Sequence, residues 1–341
     1  MYKVFKKFTV CPCWILTVIR FVCVFILSIV ILSFALKFVK NNKRNEYFVE
    51  TQTELLPVPV LPVIQYNFKT ITKDEFTERV SLSNFFSSLS YLDVLARSTA
   101  TTTVTSGEHY KNIYISSYEE FTDLDKNILI KVVDEANKLL SKYPNLQQLE
   151  WKFAKVSDAI ENGLPHTMSD MIILNKNVMK QTERELVKTI IHEKVHVYQR
   201  LNASSCNKWI NQVGFVVLSS SDFSTLNKDV LNMRRSNPDL DKNTYYHKKN
   251  RLVLKQLYNS TTPQSVSDSK AYGIPLNGDY IPIPITNELI GLPKSVYCQL
   301  EHPYEIMACI IADILTNSLY VNEYSSNDYV RSTMSWMSQE L

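Results

Sequence analysis

The stretch TIIHEKVHVYQR (residues 189–200) constrains the fold of this chain more than any other part of the sequence. Upstream, Thr182 and Glu185 have the spacing of a capping box, which predicts that a helix begins there. At about 100° per residue, His192 and His196 lie on one narrow face of that helix. Apolar residues cover the opposite side, so the histidines border a polar edge. A fold that contains this helix must leave that edge facing a cleft.

The two histidines and the residue after the first form the pattern H-E-x-x-H. Histidines at this spacing can bind one zinc ion from a single helix face, and Glu193 between them can reach a water molecule on that ion. The alternative is a surface helix that carries His–Glu pairs. Gln199 on the same face either contacts these side chains or is solvated. Lys194 lies on the apolar side and must extend to solvent or find a partner.

A zinc site of this type needs a third protein ligand and one open position. The metzincin spacing of a further histidine does not follow His196, so we expect the third ligand to come from a later helix. The segment LEHPYEIMACIIAD places Glu305 in the first turn of an apolar helix, where a buried carboxylate needs a partner such as a metal. Its alternative role is to stabilise the helix N-terminus. His302 and Glu301 are the other candidate ligands.

The motif HEKVHVYQR with a later HPYEIMA resembles the gluzincin-type (HExxH…E) zinc metallopeptidases. It is similar in particular to predicted zincin-like proteases of large DNA viruses, in which HExxHxxQ is followed by PYE-x-x-A. The upstream segment ENGLPHTMSDMIIL also looks like that group, so the resemblance covers residues 149–313 in patches. It implies a zincin-like fold in which His192, His196 and Glu305 bind Zn²⁺. It also implies that Glu193 is the general base when a zinc-bound water hydrolyses a peptide bond.

Two departures from the family pattern concern the third ligand. Met307 stands where many short relatives carry a second acid, which leaves Glu305 as the acid of that motif. The separation along the chain is also long, because Glu305 follows His196 by 305 − 196 = 109 residues. We therefore expect an inserted lobe at about residues 201–300, a polar stretch in which the sequence shows no regular pattern.

Peptide hydrolysis also needs a hydrogen-bond donor for the oxyanion. Tyr304, His166 and His302 are the candidates. Tyr304 could instead be a packing residue, and His166 could instead fix the turn after Pro165. The apolar run MIIL (residues 171–174) is either an exposed edge strand along which a peptide substrate pairs or a buried strand.

The N-terminal region predicts a membrane anchor. Residues 1–13 form a basic tail, and residues 14–38 approach the roughly 20 apolar residues that a membrane helix needs. We interpret 14–38 as a transmembrane signal-anchor and 39–66 as a proline-containing tether, which makes the chain a single-pass protein of a virion or host membrane. A cleaved signal peptide is the alternative, with Ser33 and Ala35 as its small-x-small site. Positive charges on the two sides nearly balance, so the orientation stays open.

Residues 67–341 are expected to form an α+β, zincin-like metallopeptidase domain. The segments LEWKFAKV and MIILN predict strands of a small sheet above the helix with the histidines. Residues 118–145 predict a helix capped by Thr122, and the end of the chain is expected to be mostly helical. Residues 68–96 indicate short helices.

The composition limits the classes of binding partner and of disulfide pairing that this chain can have. A net charge of +3 is too small to favour nucleic acid, and neither GxGxxG nor GxxxxGK[ST] occurs. Three of the cysteines lie outside the N-terminal region, and this odd number excludes a complete disulfide framework there. Cys206 and Cys298 could pair, whereas Cys309 fits an apolar core.

The expected function is therefore a membrane-anchored zinc metalloendopeptidase with a protein or peptide substrate. The rival is a catalytically silent zincin-like envelope or binding protein on the same scaffold, which a long insertion and a tether would suit. The intact Glu193 favours the enzyme.

Overall fold

The computed structural model of the chain describes residues 68–99, 102–276 and 281–341. The predicted basic tail, signal-anchor and tether lie outside the described residues. Within those residues, no single helix is both long and apolar enough to cross a membrane. The helices Pro303–Thr316 and Ser318–Tyr324 satisfy that criterion of length and composition only when taken together, across a bend of 114°.

Strands and helices both form throughout the described residues, which confirms the α+β prediction. The strands are β1 (Phe68–Thr70), β2 (Tyr118–Glu119), β3 (Trp151–Val156), β4 (His166–Met168), β5 (Met171–Asn175), β6 (Phe215–Val217), β7 (Tyr245–His247), β8 (Leu252–Tyr258), β9 (Ser269–Pro275) and β10 (Ile283–Pro284). The helices are α1 (Lys73–Ser81), α2 (Tyr91–Ala96), α3 (Gly107–Ser116), α4 (Asp123–Leu139), α5 (Pro144–Gln147), α6 (Glu183–Leu201), α7 (Ala203–Gln212), α8 (Ser220–Ser224), α9 (Lys228–Asn232), α10 (Asn287–Ile290), α11 (Pro303–Thr316), α12 (Ser318–Tyr324) and α13 (Asp328–Glu340). Short 3₁₀ helices form at Phe86–Ser88, Leu140–Lys142, Ile160–Gly163 and Val178–Lys180.

The first sheet has the strand order β1–β3–β5–β4, with β2 paired to β3. β1, β3 and β5 run parallel, whereas β4 runs antiparallel to β5. Every residue of β5 is buried, and so is every residue of β3 except Lys152, because both faces of the sheet are covered. The prediction that residues 171–174 form an exposed edge strand is therefore wrong, and the alternative of a buried strand is confirmed. β4 is the edge.

Helix α6 begins at the predicted capping box. The Thr182 hydroxyl accepts a hydrogen bond from the Glu185 N–H, and the Glu185 carboxylate accepts one from the Thr182 N–H. Its apolar side packs against α4 and α11. Lys194 on that side is 1% exposed; its ammonium group lies 3.8 Å from the centre of the Trp151 ring and donates to the Leu149 carbonyl. Lys194 has thus found a partner instead of reaching solvent.

A second, antiparallel sheet forms within residues 201–300, in the order β10–β9–β8–β7–β6. The expectation that this stretch is irregular is therefore wrong. Three of its five strands have only two or three residues, too few to show an alternating pattern. Gly273 in β9 permits close packing, since a Cβ there would lie 2.7 Å from the Cδ1 atom of Leu252.

A buried ion-pair network around Arg97 connects α2 and the turn before β4 with the loop between α9 and β7. The Arg97 guanidinium contacts Glu161 at 2.7 Å and Asp93 at 3.2 Å. The Tyr110 hydroxyl donates to the same Glu161 carboxylate at 2.9 Å. Arg97 also donates to the carbonyl of Ser236, in the loop between α9 and β7, at 3.0 Å. Because Glu161 has a φ of 45°, these bonds hold a strained turn in place just before β4.

Cys206, Cys298 and Cys309 are all free thiols. The predicted pairing of Cys206 with Cys298 is therefore wrong. Cys309 is buried, as predicted, and its Sγ atom lies 3.6 Å from the carbonyl oxygen of Tyr297.

Candidate metal centre

Helices α6 and α11 bring two imidazoles and one carboxylate together. The Nε2 atoms of His192 and His196 lie 3.0 Å apart. Oε2 of Glu305 lies 3.4 Å from Nε2 of His192 and 3.5 Å from Nε2 of His196. A tetrahedral zinc site with bonds of about 2.1 Å spaces its ligand atoms about 3.4 Å apart. The three side chains therefore form a group that could hold one metal ion.

Gln199 fixes the orientation of one of these ligands. Its Nε2 donates to the carbonyl of Tyr304 at 3.0 Å, and its Oε1 lies 2.8 Å from Nδ1 of His196. Because Oε1 can only accept, the imidazole carries its proton on Nδ1 and leaves Nε2 free as an electron donor. Of the two interpretations of Gln199 from the sequence, the structure therefore agrees with contact to the ligands.

Glu305 lies in the first turn of α11 and is 1% exposed. Its second oxygen, Oε1, accepts a hydrogen bond from Nδ2 of Asn237 at 2.7 Å, and the same amide donates to Glu301 at 2.9 Å. Burial raises the pKa of Glu305, but His196 and His192 outweigh burial and hold that pKa well below its ordinary value. The carboxylate is thus ionised, which is the form that binds a metal.

Glu193 lies in α6 between the two histidines and is 3% exposed. Among the described residues, its Oε2 atom is buried without any hydrogen-bond partner. Burial, followed by the charges of Asp239 and Glu305, raises the pKa of Glu193 well above its ordinary value, while Arg200 opposes this rise. A carboxylate in this environment is a strong proton acceptor.

The metal-binding group and Glu193 border a cleft of about 670 Å³. Its far wall comes from the segment before α11 and includes the apolar side chains of Ile285, Val296 and Leu300. Cys298 and Cys309 also line it. The volume falls within the range of ordinary ligand sites, so the cleft is large enough for side chains of a peptide.

The edge strand β4 of the first sheet is buried and is already engaged by the insertion. The backbone N–H of Thr167 in β4 donates to Oδ1 of Asp239 at 2.5 Å, and the Thr167 hydroxyl donates to the same oxygen at 2.7 Å. Arg200 from α6 donates to the carbonyls of Thr167 at 3.2 Å and Pro238 at 2.9 Å. The segment around Asp239 therefore occupies the backbone donor that an added strand would use.

Two of the three candidate oxyanion donors, His166 and Tyr304, have other contacts. Both ring nitrogens of His166 are engaged, Nε2 by the Tyr114 hydroxyl at 2.7 Å and Nδ1 by the Leu164 carbonyl at 3.0 Å. These contacts agree with the alternative that His166 fixes the turn before β4. Tyr304 is buried, with its ring 5.1 Å from that of His302, which agrees with a packing role. Neither side chain lines the cleft.

The structure also separates the three candidates for the third ligand. His302 accepts from the Tyr304 N–H at 3.1 Å and contacts Asp241 at 3.2 Å, so it caps α11. Glu301 pairs with Arg235 at 3.0 Å. Of the three candidates, only Glu305 lies close to both His192 and His196.

Two residues of the site were missed from the sequence. Asn237 and Asp239 belong to RRSNPDLDKN, which has the composition of an ordinary loop and shows no spacing relative to the histidines. No local signal could have placed them beside Glu305, because only the fold of the insertion brings them there.

Comparisons of the chain with known protein families, with curated proteins and with solved structures found no match.

Proposed function

We propose that the chain is a membrane-anchored zinc metallopeptidase that hydrolyses peptide bonds in protein or peptide substrates. The observation that carries the proposal is the convergence of His192, His196 and Glu305 beside the unpartnered carboxylate oxygen of Glu193. Two nitrogen donors and one oxygen donor are the ligand set of many hydrolytic zinc sites, and the cleft leaves room for a substrate. The anchor is the apolar segment at residues 14–38.

Each residue of the site has a distinct task in this proposal. When bound, zinc supplies Lewis-acid activation of a water molecule and of the scissile carbonyl group. Glu193 accepts a proton from the attacking water at its unpartnered oxygen and afterwards donates that proton to the leaving amine. Gln199 keeps Nε2 of His196 available for the metal.

The metal content of the purified full-length chain tests the ligand set. We expect about one zinc ion per chain by mass spectrometry, and loss of zinc in His196→Ala and in Glu305→Ala. His109→Ala is the matched control, because His109 lies on α3, outside the group. A wild-type chain without zinc would contradict the proposed site.

Peptide hydrolysis tests the role of Glu193. In a peptide-library assay we expect Glu193→Gln to keep its zinc but to lose activity by about 10²- to 10⁴-fold, because the general base is gone. Glu183→Gln, an exposed glutamate in the first turn of the same helix, should keep both zinc and activity. Full activity in Glu193→Gln would show that the assigned mechanism is wrong.

A second candidate is a catalytically silent binding protein on the same scaffold, and the covered edge strand favours it. An extended peptide cannot pair with the Thr167 N–H while Asp239 accepts that hydrogen bond. If this candidate is right, the wild-type chain binds zinc and cleaves no peptide in the library. The Glu193→Gln variant would then be indistinguishable from the wild type.

A further inference from the structure

A second cavity, of about 760 Å³, lies between the loop after α1, the segment that follows α9, and strand β8. Its wall carries five cationic side chains: Arg200, Arg234, Arg235, Lys242 and Lys255. The same wall carries only two acidic side chains, Asp241 and Glu301. None of the three converging side chains, His192, His196 and Glu305, lines this cavity, so its excess of positive charge lies outside the candidate metal centre.

Arg235 has a donor without an acceptor. Its side chain is 7% exposed, and its Nη2 atom donates to Glu301 and to Gln299. Its Nε atom is buried and has no hydrogen-bond partner among the described residues. Leaving a buried donor of a charged group without an acceptor is unfavourable. Such a group therefore indicates an acceptor that comes from outside the chain.

Two further cations face the cavity without partners. Across residues 68–99, 102–276 and 281–341, no hydrogen bond or ion pair involves the side chain of Lys255 or that of Arg234. Burial lowers the pKa of Lys255 to about 8, so its amine is still largely protonated at neutral pH. Charges that are both enclosed and unpaired are costly unless a counter-charge binds.

The charges of the two wall acids, Glu301 and Asp241, partly oppose the lowering of the Lys255 pKa, but among the described residues neither acid forms an ion pair with Lys255 or Arg234. Asp241 contacts His302 at 3.2 Å and accepts from the Tyr245 hydroxyl at 2.9 Å. Glu301 is shared between Arg235 and Asn237. Both carboxylates are therefore engaged at one side of the cavity.

We propose that this cavity is a binding site for a compact oxyanion, a phosphate or carboxylate group, held by Arg235, Lys255 and Arg234. A guanidinium group presents planar donors that match such a group, and an ammonium group adds a point charge. The cavity is larger than a free ion requires, so the oxyanion belongs to a small organic molecule. This site does not depend on the function proposed for the metal centre.

Titration calorimetry on the full-length chain tests the site, with inorganic phosphate in one arm and succinate in the other, at constant ionic strength. We expect saturable binding of at least one anion with a dissociation constant below about 1 mM. Lys255→Met and Arg234→Gln should each weaken that binding by about tenfold, because each removes one charge-assisted contact. Two separate variants keep the test valid if one of them does not fold.

The matched control is Lys249→Met, because Lys249 is an exposed lysine between β7 and β8 and does not line the cavity. It should bind the anion as the wild type does. The arm that binds more tightly identifies the ligand as a phosphate or a carboxylate. Lack of saturable binding in both arms would overturn the proposal. Binding that is equal in the wild type, Lys255→Met and Arg234→Gln would overturn it as well.

Discussion

The carboxamide of Gln199 connects the two helices that supply the candidate ligands. One end of it accepts from His196 of α6, and the other donates to the backbone of Tyr304 in α11. A single side chain thus sets the tautomer of the imidazole and also contacts the backbone of α11. Mutation of a residue that orients a metal ligand in this way typically weakens metal binding by about 10- to 100-fold.

We therefore expect Gln199→Leu, which has nearly the same size but no polar atoms, to weaken zinc binding by about 10- to 100-fold. The measurement is competition with a chelator of known affinity. Gln212→Leu, at the exposed end of α7, serves as the control and should bind zinc as the wild type does. Unchanged affinity in Gln199→Leu would mean that the hydrogen bond to His196 does not orient the ligand.

Secondary-structure elements that are marked by neighbouring residues could be predicted from the sequence. Strands that form only by pairing with residues far along the chain could not. Helix α6 could be located from Thr182 and Glu185, which are three residues apart and whose side chains cap the helix without help from the rest of the chain. The second sheet could not be found, because strands such as Phe215–Val217 are defined by partners that lie about thirty residues away. The edge position of β4 depends equally on the arrangement of the whole sheet.

The same distinction applies to the candidate site. His192, Glu193 and His196 could be predicted because their spacing corresponds to about one helical turn. Glu305 could be predicted because it is a carboxylate within an apolar helix. Asn237 contacts Glu305 although the two residues are 68 positions apart, and no sequence pattern predicts that contact. His166 and Tyr304 were chosen by residue type, but their hydrogen bonds and ring contacts are set by their neighbours.

The turn before β4 is an element whose stability should depend on pH. Burial raises the pKa of Glu161, but Arg97 outweighs burial and holds that pKa below its ordinary value of 4.5. A pKa that is lower in the folded state contributes stability above the unfolded value, and this contribution is lost as the pH falls through the folded value. The ion pair should therefore stabilise the fold at pH 7 and cease to do so in acid.

We expect Glu161→Gln to lower the free energy of unfolding by about 3 kcal/mol at pH 7, because it leaves Arg97 buried without its main partner. The difference from the wild type should shrink as the pH falls below 4.5. Urea unfolding at a series of pH values measures it. Glu78→Gln, an exposed residue of α1, is the control with no expected change. A difference that stays constant with pH would exclude this explanation.

At the scale of the whole molecule, hydrogen bonds connect the insertion to the candidate metal centre. Ser236 is held by Arg97, Pro238 by Arg200, and between them Asn237 reaches Glu305. The insertion is therefore attached on both sides of the residue that contacts the third ligand. A change in this loop can therefore reach the candidate metal centre through the amide of Asn237 and through the charge of Asp239.

Asn237→Ala should consequently weaken zinc binding by about tenfold while the fold is preserved, since it frees Glu305 to turn away from the histidines. Chelator competition measures the affinity, and circular dichroism monitors the fold. Asn232→Ala changes an exposed residue of the same insertion and should have no effect. Wild-type affinity in Asn237→Ala would mean that the insertion does not support the metal centre.

The long separation between His196 and Glu305 also has a consequence for biosynthesis. At about 5–20 residues per second, synthesis of the 109 residues from Val197 to Glu305 takes roughly 5–20 s. During that interval the nascent chain holds the two imidazoles of α6 but lacks α11, so the candidate ligand set is incomplete and the part of α6 that packs against α11 is uncovered. Residue 305 of 341 must be made before the centre can close on a metal. Any zinc-dependent activity of the candidate centre therefore has to wait until synthesis has passed α11.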